Sequence, residues 1–254
     1  MSKKEISEFM RGEKQLEKSF EIQWLAKFRK CLTEAVGEDT TRKVMMGSER
    51  VEASASQIET INWTKEAIDK LDALVDEKNR KRIMTGCACH FPENRLLPLR
   101  AKYSETKDID SVHGMLREMF ISDLKNELKL DDDLIGKIVI SGWGVAGLKI
   151  GSTIILTKLP FELREYLKAT DSREKRRHYC HCPRIREAIK LPEHGISTTY
   201  CYCGAGFYKD IWEKILQQTV EVEVLETVLQ GSGVCRIAIH LPNTARTNSR
   251  GKNE

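Results

Sequence analysis

The sequence contains no long apolar run. None of its apolar stretches reaches the roughly 18 residues that a membrane-spanning helix needs, and residues 1–15 lack the apolar segment of a signal peptide. The basic residues are dispersed, the net charge is only +4, and no nucleic-acid-binding motif accompanies them. We therefore expect a cytoplasmic protein that binds neither a membrane nor a nucleic acid.

The usual spacings of two cofactor sites are also missing. Iron–sulfur proteins use C-x2-C and C-x4-C spacings, and neither occurs here. Gly142, Gly144 and Gly147 have the G-x-G-x-x-G spacing of a dinucleotide site, which needs a helix that starts at the glycines. Gly151 interrupts any such helix and the β-rich residues 152–159 follow. We therefore reject a dinucleotide site and predict two strands across residues 137–160.

What the sequence does contain is cysteine in unusual groupings. Seven of its eight cysteines lie in four short segments: GCACHFPEN at 86–94, HYCHCP at 178–183, YCYCG at 200–204 and GVCRIAIHL at 233–241. Because cytosolic thiols stay reduced, such clusters are more typical of metal binding or catalysis than of disulfides. The eighth, Cys31, lies on the apolar stripe of a predicted helix, and we interpret it as a small buried hydrophobe.

The three C-x-C pairs suit zinc ligation. In an extended chain the two side chains of a pair point the same way, with Cα atoms about 6.6 Å apart. Two thiolates on a tetrahedral zinc lie a little under about 4 Å apart, so one pair can bind one zinc if other ligands join it. An iron–sulfur cluster is the second choice. Thiol redox chemistry without metal is disfavoured, because a C-x-C disulfide would be strained.

The candidate metal ligands form one preferred pool and one supporting group. The preferred pool is Cys180, Cys182, Cys201, Cys203 and Cys235, with His181 as a further candidate. Cys87, Cys89 and His90 close the same site or form a second one. Two of the pairs precede predicted helices, whose free N–H groups favour thiolate over thiol.

Apolar periodicity predicts an α+β fold, with a helical N-terminal half and C-terminal helices packed on an antiparallel sheet that ends in a β-hairpin. Helical stripes cover residues 15–36, 62–75 and 108–129, and the first helix ends at Gly37. Residues 48–60 are small and polar, which predicts a connector. TVEVEVLETVL and VCRIAIHL alternate as the two strands of the hairpin.

The C-terminal hairpin carries a resemblance to a known family. The run from Gly204 to Ile239 resembles the C-terminal half of the vinyl-4-reductase domain. The features that match are a glycine-led helix with Gly204, Gly206 and Trp212, the strand from Val220 to Glu226, Gly231 and Cys235. Thr227 and Ile237 stand where that family often has a cysteine and an aromatic residue. The whole chain looks like a prokaryotic cysteine-rich family related to this superfamily, and aminothiazoline-carboxylate hydrolases are more distantly similar.

The resemblance implies a small-molecule-binding, sensor-like module whose hairpin cysteines bind zinc. We expect three regions: a helical region at 1–107 with the cysteine loop 86–94, an α+β domain at 108–242 that the resemblance makes vinyl-4-reductase-like, and a polar, disordered tail at 243–254. The expected partner is a small-molecule ligand, and the oligomeric state is left open, a homodimer included.

Two alternatives to this function stay open. In a metal-dependent hydrolase of a small cyclic amide or thioether, zinc would activate a water, and Glu93 or Glu226 would take its proton. In a purely structural zinc protein the metal would only stabilise the fold.

Overall fold

The computed structural model describes residues 3–54, 56–191 and 195–242. A helical N-terminal half leads into C-terminal helices and a four-stranded antiparallel sheet, which confirms the predicted α+β class. The predicted tail at 243–254 lies outside the described residues. The helices are α1 (Lys3–Val44), α2 (Ser48–Ser54), α3 (Gln57–Leu74), α4 (Glu77–Gly86), α5 (Glu93–Thr106), α6 (Ile109–Asn126), α7 (Asp132–Ile140), α8 (Leu163–Lys168), α9 (Ser172–Tyr179), α10 (Pro183–Ala188) and α11 (Tyr202–Leu216). The strands are β1 (Leu148–Ile150), β2 (Thr153–Thr157), β3 (Glu221–Glu226) and β4 (Arg236–His240).

The N-terminal helices follow the predicted apolar stripes with two differences. The backbone of α1 leaves the helical region at Gly37 (φ 77°, ψ 173°), as predicted, but the chain becomes helical again as far as Val44. The predicted connector at 48–60 is wrong, because α2 and the first turn of α3 occupy it. Ser56 and Glu59 form a capping box that starts α3, and reciprocal capping of this kind satisfies two helix-end N–H groups.

The segment 137–160 also differs from its prediction. Its first part belongs to helix α7, which Asp131 caps by accepting a hydrogen bond from Leu134 N at 2.9 Å. The predicted pair of strands lies later, as β1 and β2. After Gly147 the chain forms β1 rather than a helix, which agrees with the rejection of a dinucleotide site.

The sheet has the strand order β1–β2–β4–β3 with antiparallel neighbours. The predicted β3–β4 hairpin is confirmed. Ile154 and Leu156 pair with Ile239 and Ile237, and all four side chains are buried. Since side chains alternate between the two faces of a sheet, these four side chains lie on the same face, which is the inner face. Helix α11 covers it, with Trp212 fully buried.

Two apolar cores meet beside this sheet. One joins α1, α3 and α4 to Tyr179, Ile185 and Tyr200, and the other joins α5, α6 and α11 to the inner face of the sheet. Gly206 permits α11 to lie directly on the end of α4, because a side chain there would collide with the Thr85 carbonyl. Contacts therefore cross the predicted boundary at residue 107, and the division into domains stays a prediction. None of the described helices is long and apolar enough to cross a membrane.

Candidate functional site

A cavity of about 330 Å³ lies where the two cores meet. Its wall includes residues from the helical core, such as Ile185 and Tyr200, and residues from the sheet core, such as Tyr208 and Ile237. The polar and sulfur-bearing side chains of the wall are Cys89, Lys158, Cys180, His181, Cys182, Cys201, Cys203, Glu226, Thr227 and Cys235. Six of the eight cysteines of the chain thus surround one cavity of small-molecule size.

Four separate parts of the fold supply these cysteines. Cys180 and Cys182 lie between α9 and α10, and Cys201 and Cys203 lie at the start of α11. Cys235 immediately precedes β4 and has the same parity as the inward-facing Ile237 and Ile239, so the sheet's inner face runs on into the cavity. Cys89 follows α4. Segments distant in sequence therefore bring their thiols to one place.

The predicted geometry of the C-x-C pairs holds for one pair only. Cys180 (φ −72°, ψ 132°) and Cys182 (φ −80°, ψ 121°) are extended, as the prediction requires. Cys203 lies inside α11 and Cys87 has a helical backbone conformation. Residues two apart on a helix do not face the same way, so the prediction is wrong for those two pairs. Cys201 and Cys203 reach the cavity all the same, because α11 starts in its wall.

Four of the six cavity sulfurs have different hydrogen-bond partners. Cys182 Sγ lies 3.1 Å from Tyr200 Oη, and the Trp24 indole N–H donates to Cys203 Sγ at 3.4 Å. The backbone N–H of Val228 donates to Cys235 Sγ at 3.4 Å, and Thr227 hydrogen-bonds to Cys201. Trp24 lies behind the wall and the other three partners lie in it, so each of these four sulfurs is already engaged with a different residue.

Burial makes most of these thiols weak acids. Desolvation raises the pKa of Cys180 and of Cys203 to about 12, and it also raises the pKa of Cys201 and Cys235. The prediction that helix N-termini would favour thiolates here is therefore wrong for Cys180, Cys201 and Cys203. Helix α10 has only 6 residues, and Cys201 makes no side-chain cap hydrogen bond to α11. Desolvation exceeds what such helix ends contribute.

Lys158 puts a cation among these thiols. It follows Ile154 and Leu156 on the inner face of the sheet, and its backbone N–H donates to Cys235 O at 3.0 Å. Burial alone would lower the pKa of the ammonium, but Tyr208, Cys235, Cys180 and Cys201, once ionised, raise it above the ordinary value. Within the described ranges no carboxylate lies within ion-pair distance of its Nζ. The ammonium is thus available to an anion inside the cavity.

His181 and Glu226 complete the polar part of the wall. The imidazole Nε2 of His181 lies 2.7 Å from Leu159 O. Desolvation by the surrounding protein, together with the charge of Lys158, lowers the pKa of His181 to about 4, so the ring is neutral at neutral pH. Glu226 is ion-paired with Arg236 at 3.1 Å. A neutral imidazole is the form that binds metals.

Two candidate ligands lie elsewhere. Cys87 is 1% exposed and its Sγ lies 3.1 Å from Ile83 O, outside the cavity wall. The His90 side chain is 55% exposed and pairs with Asp210 at 2.9 Å. Glu93, a candidate base, is exposed and paired with Arg100. The structure therefore places seven of the nine candidate ligands on the cavity, and Cys87 and His90 outside it.

The sulfurs do not converge on a point. In the part of the chain that the structure describes, no three His, Cys, Asp or Glu side chains are grouped so that they could hold a metal ion. All eight cysteines are free thiols. The donor set has the chemistry of a zinc site, but its side chains would have to move inward from their present partners to bind a common ion.

The sequence analysis missed three residues of the wall, Lys158, Tyr200 and Tyr208. The sequence did indicate Lys158. In STIILTKLP it lies two residues after Leu156 and four after Ile154, so a strand would place its side chain on the same inward face. A lysine at an inward position is rarely left without a function or a partner. Tyr200 is the first residue of the YCYCG segment and Tyr208 follows that segment; both are buried aromatic residues, and nothing in their spacing distinguishes them from core residues.

Comparison with known proteins gives one partial match. Residues 172–246 match the model of a family of unknown function (DUF6144). The match covers less than a third of the chain and contains five of the six cavity cysteines. No curated protein and no solved structure matches the chain. The resemblance to vinyl-4-reductase domains therefore stays a prediction.

Proposed function

We propose that this protein binds zinc and a small anionic molecule together in the cysteine-lined cavity. One observation carries the proposal: six cysteines and a neutral histidine from four parts of the fold line a single cavity. The proposed ligand pool is Cys180, His181, Cys182, Cys201, Cys203 and Cys235. The reduced state of all eight thiols fits a cytoplasmic location.

The surroundings of the sulfurs suit thiolates once a metal ion is present. Buried thiols release their protons when a divalent cation replaces them, and binding is then coupled to proton release. The Trp24 indole N–H and the Val228 backbone N–H already donate to sulfur. Donors of this kind stabilise metal-bound thiolates and orient them. Zinc is preferred to an iron–sulfur cluster because the usual cluster spacings are absent from the sequence.

Lys158 supports the anionic part of the proposal. A buried ammonium is costly unless an opposite charge is close to it. Its neighbours here are thiols and Tyr208, and burial keeps these neutral at neutral pH. A carboxylate or another small anion would therefore gain a charge-assisted hydrogen bond from Nζ, while the apolar wall formed by Ile237 and Val224 would contact the rest of the molecule.

The hydrolase alternative has one observation in its favour. Glu226 lies in the cavity wall, whereas Glu93 does not, so Glu226 is the carboxylate placed to accept a proton from a water in the cavity. The coordination number separates the alternatives. Four protein sulfurs on zinc indicate binding or structure, and three protein ligands with one open position indicate catalysis.

A zinc titration tests the proposal. Reduced, metal-free protein is titrated with Zn²⁺ against a chromophoric chelator, and X-ray absorption counts the sulfur neighbours. We expect one or two zinc ions per chain, bound through sulfur. The proposal fails if no zinc binds and all eight thiols react freely with a thiol reagent at neutral pH.

The anionic ligand is tested on the zinc-loaded protein. The probe is mercaptoacetate, and its methyl ester is the uncharged control. We expect the wild type to bind the acid at least about tenfold more tightly than the ester, and Lys158→Met to lose that preference. Equal binding of acid and ester by the wild type would contradict the role of Lys158 while leaving the zinc result unaffected.

A further inference from the structure

The two cysteines outside the cavity form a pair of their own. Cys31 on α1 and Cys87, the residue that follows α4, are joined by a side-chain hydrogen bond. They are 56 residues apart in the sequence, so only the packing of α1 on α4 brings them together. Neither residue lies in the cavity wall.

Close packing fixes this contact. A Cβ atom on Gly86 would lie 2.6 Å from Cys31 Sγ, so the sulfur rests directly on the Gly86 backbone beside Cys87. Cys87 is 1% exposed, and its Sγ also lies 3.1 Å from Ile83 O. The single S–H of Cys87 therefore has two acceptors within reach, Cys31 Sγ and Ile83 O. Cys31 is only half-buried. Cys31 is therefore the partly exposed residue of the pair, and Cys87 is the buried one.

The surroundings of Cys31 favour its ionised form. The pKa of Cys31 is lowered to about 7, chiefly by the hydrogen bond from Cys87 and also by the positive charges of Lys30 and Arg82. Partial burial and the negative charge of Glu34 oppose this by raising the pKa. About half of the Cys31 thiol is therefore ionised at pH 7, compared with about one hundredth for a thiol of ordinary pKa. This enrichment supports what the geometry indicates by itself.

We propose that Cys31 and Cys87 form a redox-active dithiol that reacts with hydroperoxides, as a site separate from the cavity. The Cys31 thiolate attacks the terminal peroxide oxygen, the O–O bond breaks, and Cys31 becomes a sulfenic acid while the peroxide leaves as hydroxide or alkoxide. The Cys87 sulfur then attacks the sulfenic sulfur. An S–S bond forms, the S–O bond breaks, and the hydroxyl group leaves with the Cys87 proton as water. The dithiol loses two electrons and the peroxide gains them.

The accessible and shielded positions match the two steps. The first step needs an ionised thiol on a residue that is not fully buried, and Cys31 is the partly exposed residue of the pair with the lowered pKa. The second step needs only a neighbouring sulfur that is already in contact, and Cys87 meets that requirement while solvent is excluded from it. The sequence-based interpretation of Cys31 as a small buried hydrophobe accounts for its packing against the core but not for this pairing.

Peptide mass spectrometry of the full chain tests the dithiol. Reduced, metal-free protein is treated with one equivalent of hydrogen peroxide, quenched with N-ethylmaleimide and digested. We expect the first disulfide to join the Cys31 and Cys87 peptides. In Cys87→Ser, the sulfenic acid at Cys31 should persist and react with dimedone, and in Cys31→Ser, Cys87 should stay reduced under the same treatment.

Two results would overturn the proposal: oxidation that begins at the cavity cysteines, or a Cys87→Ser protein in which Cys31 reacts no differently from the wild type. If Cys87→Ser does not fold, iodoacetamide labelling of the wild type at pH 7 decides instead. Cys31 should then be alkylated at least about tenfold faster than Cys180, Cys201, Cys203 or Cys235. A Cys31 that reacts at the rate of the cavity cysteines would contradict the proposal.

Discussion

The cavity cysteines and the Cys31–Cys87 pair show two opposite environments for one residue type. In the cavity, burial raises the pKa of Cys180 and Cys203 to about 12, and four of the six sulfurs are hydrogen-bonded to different neighbours. At the α1–α4 contact, a neighbouring thiol and nearby cations lower the pKa of Cys31 to about 7. The cavity therefore holds thiols that need a metal ion to ionise them, and the pair holds a thiol that is ionised without one.

The comparison teaches that cysteine spacing alone does not assign chemistry. The Cys87–Cys89 pair has the same C-x-C spacing as Cys180–Cys182, yet its two sulfurs serve different sites. Backbone conformation makes the difference, since Cys180 and Cys182 are extended and Cys87 is helical. The same spacing thus places both cysteines of one pair on the cavity and separates the two cysteines of the other pair.

Removing two cavity sulfurs should have the largest effect. We expect Cys201→Ser with Cys203→Ser to weaken zinc binding by more than about a hundredfold, because loss of a folded ligand set removes binding energy that also stabilises the fold. Chelator competition measures the affinity, and thermal unfolding with and without zinc measures the coupled stability. The matched control is Cys31→Ala, which should leave zinc content unchanged. Loss of zinc in the control, or retention in the double variant, would reverse our assignment of the two sites.

The pH dependence of zinc binding should be the next largest effect. The pKa values of Cys180, Cys201, Cys203 and Cys235 lie above the ordinary value of 9.0, so these thiols carry protons at pH 7 that zinc must displace. Each thiol that binds should release about one proton, and the apparent affinity should rise about tenfold per pH unit for each proton released. His181, with a pKa of about 4, should release none above about pH 5. Calorimetry in buffers of different ionisation enthalpy counts the protons, and zinc binding without proton release would show that the thiols are already ionised.

The contact that holds the Cys31–Cys87 pair can be tested with two glycines. Gly86→Ala should destabilise the protein by about 1–3 kcal/mol, because the new Cβ would meet Cys31 Sγ at 2.6 Å. Gly136→Ala in α7 meets nothing within 4 Å and should stabilise the protein by up to about 1 kcal/mol. Denaturant unfolding measures both. Equal effects at the two positions would show that Cys31 does not pack against Gly86.

Apolar periodicity and local turn residues were sufficient to predict much of the fold. The stripe that includes Trp24 and Phe28, the 108–129 helix and the β3–β4 hairpin depend on local patterns that the sequence displays directly. Helix α7 was misread as a strand because its apolar run IGKIVI reads equally well in either form, and the decisive feature was the Asp131 cap. The capping box at Ser56 and Glu59 would likewise have revealed the start of α3.

The candidate site was only partly predictable. That the C-terminal cysteines gather followed from their positions around one hairpin, but the separation of Cys87 from Cys89 depends on how α4 ends against α1 and α11. The pairing of Cys31 with Cys87 depends on helix packing across 56 residues, which no local pattern encodes. The sequence predicted thiolates at the C-terminal cysteines, whereas burial raises the pKa of most of them. Burial is a property of the assembled fold and cannot be inferred from spacing.

The rate at which each cysteine is alkylated, with and without zinc, tests the central claim most directly. Mass spectrometry follows all eight sites in one sample of the wild-type chain. We predict that without zinc Cys31 reacts first, and that zinc slows Cys180, Cys182, Cys201, Cys203 and Cys235 by more than about tenfold while leaving Cys31 unchanged. Protection of Cys31 by zinc, or no protection of the cavity cysteines, would contradict the division of the thiols into two sites.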